Sequence, residues 1–214
     1  MRGRRNPRSR TLRAAALEAR QCEPASAVRA IVQSEPTPAP VHSARTTIDI
    51  ILQGSAVELF HAHGVAVAPL GSSPVGAQQR YHDSVGMIGF EGSSFSGTLT
   101  LSIPTPVFDW HCEARDASDA TTLTDWTQEL TNQLLGRIKN RLTMFQTNLR
   151  PFLPSTMSGA VLERLRKRAP YEVLYRFRTL RGDIIVTLDA PLHNVALIYS
   201  GGAMVAQEGD VILF

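Results

Sequence analysis

Residues 125–142 read DWTQELTNQLLGRIKNRL, and their apolar side chains recur at helical spacing. With Leu130 at zero and about 100° per residue, Trp126, Leu134, Ile138, Leu142 and Phe145 fall in a wedge from about −40° to about 120°. That wedge predicts a long amphipathic helix with one face in a core, running to about Asn148. Asp125, Glu129, Asn132, Gly136 and Lys139 fall on the opposite face, between about 180° and 260°. A glycine inside a helix costs roughly 0.8–1 kcal/mol relative to alanine. On a solvent face, one turn beyond Asn132, it leaves bare backbone where another molecule can approach closely.

The segments on either side complete an α+β pattern. Residues 46–64 have helical spacing at Ile48, Ile51, Leu52, Val57, Leu59 and Phe60, with Gly64 as a stop. In residues 84–103, SVGMIGFEGSSFSGTLTLSI, Thr98, Thr100 and Ser102 alternate with Leu99, Leu101 and Ile103. That predicts two strands around a Gly/Ser turn, one of them half-buried. Pro104 and Pro106 end the hairpin, and a short helix is expected through Trp110. Downstream of the long helix, Pro151 and Pro154 break the chain, and residues 158–168 form a short helix or a loop. Residues 171–179 and 183–188 read as a strand pair joined around Arg181 and Gly182. Residues 190–214 read as further C-terminal strands separated by glycines. The fold class expected is an antiparallel β-sheet packed with α-helices.

Composition bounds what such a domain does. Apolar content of 43% and charged content of 19% are those of a globular protein. No stretch approaches the roughly 18 consecutive apolar residues of a spanning helix, so no membrane role is expected. Charge is uneven. Residues 1–45 hold nine arginines against Glu18, Glu23 and Glu35, a formal +6, so residues 46–214 carry −3 of the total +3. With the Pro-rich EPTPAP run, residues 1–45 read as a disordered basic tail, and residues 46–214 as the folded domain. A nucleic-acid role would rest on this tail alone, and none is assigned to it. Cys22 and Cys112 form no framework and no Cys-x-x-Cys pair, which fits a reduced cytoplasmic protein without a secretory signal.

The pattern Asp125-x-x-x-Glu129-x-x-Asn132 is followed, after 21 residues, by Pro154 in PSTMSG. This resembles the bacterial chemotaxis phosphatases of the CheC/CheX/FliY family, whose active helix carries an Asp or Ser, then Glu, then Asn, with a proline a little over twenty residues later. The resemblance is greatest to the CheX branch, where a glycine also follows the Asn, as Gly136 does here. There the proline opens a P-[ST]-x-x-S-G run, matched by Pro154, Ser155, Ser158 and Gly159. The GMIGFEGSSFSGTLTLSI hairpin is similar too. The resemblance covers residues 46–189. It implies a CheX-like homodimer that hydrolyses the phospho-aspartate of a CheY-like response regulator. It implies Glu129 and Asn132 as the catalytic pair, Asp125 and Gly136 as docking positions and Pro154 as a structural element of the motif. It also implies that the chain binds no cofactor, Mg²⁺ being held by the regulator. The alternative is a non-catalytic dimerisation or regulator-binding module of the same fold. The CheC branch carries two motifs; here the first helix has Glu58 but His61 three positions on, so one site is expected.

Other chemistries fit less well. His61 and His63 point about 200° apart on a helix. His111 and Cys112 are neighbours without further ligands at metal-binding spacing, so no metal site is assigned. EGSSFSG lacks the Gly-Lys-[Ser/Thr] ending of a phosphate loop and reads as a hairpin turn.

Overall fold

The computed structural model describes residues 43–76, 79–111, 120–165 and 171–200. The chain divides into two compact units, Met1–Ala39 and Pro40–Phe214; every described residue belongs to the second. The expected basic tail therefore lies outside the described residues, except for Ser43 to Arg45, which open the first helix. In chain order the elements are α1 (Ala44–Ala62), β1 (Ala68–Pro74), β2 (Ser84–Gly92), β3 (Gly97–Ile103), α2 (Thr105–His111), α3 (Ala120–Leu142), β4 (Leu149–Pro151), β5 (Ser155–Met157), α4 (Gly159–Leu165), β6 (Glu172–Thr179) and β7 (Gly182–Asp189). The strands form one seven-stranded antiparallel sheet in the order β1-β6-β7-β3-β2-β4, with β5 also pairing β2.

Period-two alternation places one face of this sheet in the core, but β3 is not the half-buried strand its alternation implies: Thr100 and Ser102 on its other face are buried too, as are Ile185 and Thr187 of β7 beside them. Ile88 and Phe90 of β2, Leu99, Leu101 and Ile103 of β3, Val173, Tyr175 and Phe177 of β6, and Ile184, Val186 and Leu188 of β7 are all buried. They meet α1 through Ile48, Leu52, Leu59 and Phe60, and α3 through Leu130, Leu134, Ile138 and Leu142, in one apolar cluster. Ser43 caps α1, its hydroxyl accepting from Thr46 N at 3.1 Å. The Tyr175 hydroxyl is buried, and it donates to Asp49 Oδ1 at 2.5 Å, tying α1 to β6. Arg45 Nε donates to the same carboxylate at 3.0 Å. Burial and then the Asp49 carboxylate push the Tyr175 phenol pKa well above its usual value.

Several elements differ from what the residues alone imply. The strand β1, APLGSSP, has no apolar alternation, and all seven of its residues are exposed. It pairs β6 through its backbone, with an irregular register between Pro69 and Ser72 and Gly71 at φ 92. An edge strand tolerates proline because one row of its amides needs no ladder partner. The long helix stops at Leu142 rather than near Asn148. A single 3₁₀ turn, Thr143–Phe145, follows, and Gln146 takes a left-handed conformation that turns the chain into β4. Residues 190–200 form no strand. Pro191 lacks an amide hydrogen, and β7 is already flanked by β3 and β6. Ala190 and Leu192 are buried in the core cluster instead. Residues 201–214, the rest of the expected C-terminal strands, lie outside the described residues.

The packing of α3 on β2 depends on a glycine. A Cβ on Gly86 would lie 2.0 Å from Thr131 Oγ1 and 2.9 Å from the Thr127 carbonyl oxygen. The buried threonines that meet this strand satisfy their hydroxyls within the contact. Thr127 Oγ1 donates to Leu123 O at 2.7 Å, Thr131 Oγ1 to Thr127 O at 2.6 Å, and Ser84 Oγ to Thr127 Oγ1 at 3.0 Å. One extra methyl must therefore push helix and strand apart. Gly86→Ala is expected to destabilise the domain by about 1–3 kcal/mol in thermal or urea unfolding; unchanged stability would mean that α3 does not ride this close to β2.

Candidate functional site

Three faces of α3 follow from its packing. The first, with Thr127, Thr131, Leu134, Leu135 and Ile138, is buried toward the sheet. The second, with Trp126, Gln133, Arg137 and Arg141, is part-buried, and its polar members reach the first helix. Arg141 Nη2 bonds Glu58 Oε1, with Arg137 Nη1 at 4.0 Å from Glu58 Oε2. The Arg141 guanidinium crosses α1 at Gly54, where a Cβ would sit 2.6 Å from Nη1. The third face is open. Asp125, Glu129 and Asn132 are exposed on it, and nothing lies within 4 Å of where a Gly136 side chain would start. Asp125, Glu129, Asn132 and Gly136 therefore lie together on one accessible strip.

Gln133, which no motif marks, also belongs to the site. Its Nε2 donates to Glu129 Oε1 at 2.8 Å, and its Oε1 faces His63 Nε2 at 3.0 Å. The available signal was the i, i+4 spacing from Glu129, which puts the two side chains side by side. The two first-helix histidines diverge as expected: His61 is exposed, while His63 caps α1 and reaches α3.

Pro154 is not on the strip. It lies between β4 and β5, both of which pair β2 and touch α3. The register shows why a proline fits. Phe152 N donates to Gly89 O at 2.9 Å, and Ser155 pairs Met87, so Leu153 and Pro154 together oppose Ile88 alone. This is a bulge, and a residue without an amide hydrogen loses nothing at its unpaired position. The following Gly159 sits under the backbone of Tyr81 and His82. Its amide donates to His82 O at 3.1 Å, and a Cβ there would be 2.3 Å from that oxygen. The PSTMSG run is thus fixed to the sheet edge at both ends.

The strip offers one carboxylate whose Oε1 is taken by Gln133 and whose second oxygen can still accept, a second carboxylate one turn earlier, and an amide that both donates and accepts. Among the described residues, no three His, Cys, Asp or Glu side chains gather closely enough to hold a metal ion. His111 is described only as helical backbone, and Cys112, with Arg166 to Arg168 beyond α4, lies outside the described residues. No described helix is long and apolar enough to cross a membrane.

No protein-family model matches the chain, and no curated protein matches it. Solved structures do. The chemotaxis protein CheX of Vibrio vulnificus superposes with a TM-score of 0.59 at 15% identity, over 68% of this chain and 99% of that one. The fold is that of the CheC/CheX chemotaxis proteins. A CheC-like superfamily protein of Shewanella sp. PV-4 gives 0.57 at 16% identity, over 67% and 97% of the two chains. CheX of Borrelia burgdorferi, in a complex of CheX, CheY, BeF₃ and Mg²⁺, gives 0.52 at 13% identity, over 66% and 96%. Identities this low establish the CheX-like fold; activity has to be argued from the α3 strip itself.

Proposed function

We propose that this chain is a phosphatase of the phospho-aspartate on a CheY-like response regulator, acting through the open strip of α3. The observation that carries the reading is the joint exposure of Glu129 and Asn132 beside the bare backbone of Gly136. The Borrelia complex of CheX with CheY makes a CheY-like protein the partner class to try first. An acyl phosphate is already reactive, and the regulator brings its own Mg²⁺, so this chain supplies positioning and no cofactor. Asn132 orients a water in line with phosphorus, donating and accepting through its amide; holding that geometry lowers the entropic part of the barrier. Glu129 pairs with a lysine at the regulator's active site and sets the docking register. Asp125 adds a docking contact one turn earlier. Gly136 lets the regulator's backbone come close.

Quaternary structure belongs to the same proposal. The strand β1 ends the sheet, and all its residues are exposed. A two-fold pairing through a sheet edge hides such unpaired groups. Light scattering at tens of micromolar is expected to return twice the chain mass of 23.4 kDa; a monomer at that concentration contradicts the pairing.

The test of the activity separates the two α3 side chains. Both are exposed, so replacing either with alanine shifts stability by no more than about 0.5 kcal/mol. Asn132→Ala is expected to cut turnover of a phosphorylated CheY-like regulator about 100-fold while docking persists. Glu129→Ala is expected to weaken regulator binding about 10-fold or more, as the loss of one charge-assisted hydrogen bond. Undiminished dephosphorylation by the double variant refutes the enzyme reading. Tight binding without dephosphorylation by the unaltered protein leaves a docking module of the same fold.

A further inference from the structure

The side chains linking α1 to α3 beside Glu129 form an ordered chain. A carboxylate only accepts hydrogen bonds, so the amide nitrogen of Gln133 must be the atom facing Glu129 Oε1, at 2.8 Å. The Gln133 oxygen is then turned to His63 Nε2 at 3.0 Å, and that ring nitrogen must carry a hydrogen. His63 is itself held. It is the C-cap of α1, and its ring stands edge-on to Trp126, with centroids 6.3 Å apart and planes at 85°. Trp126 meets Phe108 at 5.3 Å, and Phe108 is fully buried. An unbroken series of contacts therefore runs from the core to one oxygen of an exposed carboxylate.

Left alone, an exposed glutamate samples several rotamers, and a partner that needs one of them must bear the ordering cost at each encounter. A fixed amide removes part of that cost beforehand. The bond to Oε1 also leaves the second oxygen of Glu129 for an outside donor. The neighbouring helix shows the contrast: the Glu58 carboxylate of α1 reaches across to bond Arg141, with Arg137 at 4.0 Å. Of these two glutamates, one is spent on the fold and the other is held outward.

We infer that Gln133, oriented by His63, is a positioning residue that presets the Glu129 carboxylate for its partner's cation. This rests on the reading above in which Glu129 contacts the regulator. Gln133 acts only through Glu129, so removing it affects docking and leaves the water-orienting Asn132 step alone.

The test uses the full chain and a CheY-like regulator phosphorylated by acetyl phosphate, with kcat and KM measured separately. Gln133→Met keeps the length and apolar contact of the side chain and removes both hydrogen bonds. His63→Phe keeps a ring against Trp126 and removes the donor. Each is expected to raise KM about threefold to tenfold with kcat within about twofold of the unaltered protein, the range for freeing one ordered side chain. In a Glu129→Ala background, Gln133→Met is expected to change nothing further. A Gln133→Met effect of equal size in that background overturns the inference, as does an unaltered KM in Gln133→Met when Glu129→Ala raises it. If Glu129→Ala itself leaves KM and kcat unchanged, the regulator-docking role of Glu129 fails, and the inference goes with it.

Discussion

Gly86 lets Thr131 and the Thr127 carbonyl of α3 press against the backbone of β2, at distances no side chain on that strand could share. This contact sets the height and the rotation of α3 at once. With the threonines turned to β2 and Leu134 and Ile138 turned to the core, the face carrying Asp125, Glu129, Asn132 and Gly136 can only point away from the sheet. The second constraint comes from α1. Glu58 grips Arg141 and approaches Arg137, and His63 reaches Gln133, so the flank of α3 toward α1 is closed. The strip is what remains after sheet and helix have taken their shares. Its polarity reflects solvent exposure, and its particular side chains are then available for a partner.

Two antiparallel helices over one sheet each present a glutamate, and the structure treats them differently. Arg141 bonds Glu58 and Arg137 approaches it at 4.0 Å, while among the described residues Glu129 is met by the neutral amide of Gln133. An outside cation meets no arginine already bonded to Glu129, whereas at Glu58 it would compete with Arg141. The histidine at the position three beyond Glu58 offers no amide to accompany it, which agrees with a single strip on α3.

Much of this was open to reading from residues alone, for physical reasons that also explain the exceptions. The helical period of α1 and α3 reports burial on one face, and the alternation in residues 98–103 marks β3 as a strand, although Thr100 and Ser102 on its polar side are buried as well. The strand β1 has no such signal because an edge strand needs backbone partners and little apolar surface. The end of α3 was set by Gln146 adopting a left-handed turn, which glutamine does not advertise. Residues 190–200 were apolar enough to pass for strand, yet Pro191 lacks an amide to continue a ladder, and Ala190 and Leu192 pack into the core cluster instead. At the site, Glu129, Asn132 and Gly136 stood out because each is odd on a helix in that place. Gln133 did not, since its role depends on a histidine 70 positions away. The bulge at Pro154 is likewise a matter of register between strands, invisible until both partners of β2 are in place.

The proposed function makes the open strip of α3 the surface that meets a phosphorylated regulator. Its most direct test is an amide NMR titration of the isotopically labelled chain with a CheY-like regulator held in its BeF₃⁻/Mg²⁺ form. The largest shift changes are expected to cluster at Asp125, Glu129, Asn132 and Gly136, and to fade when the regulator lacks BeF₃⁻. Changes confined to the β1 edge, or a titration that leaves the α3 amides unmoved while the regulator binds, would contradict it.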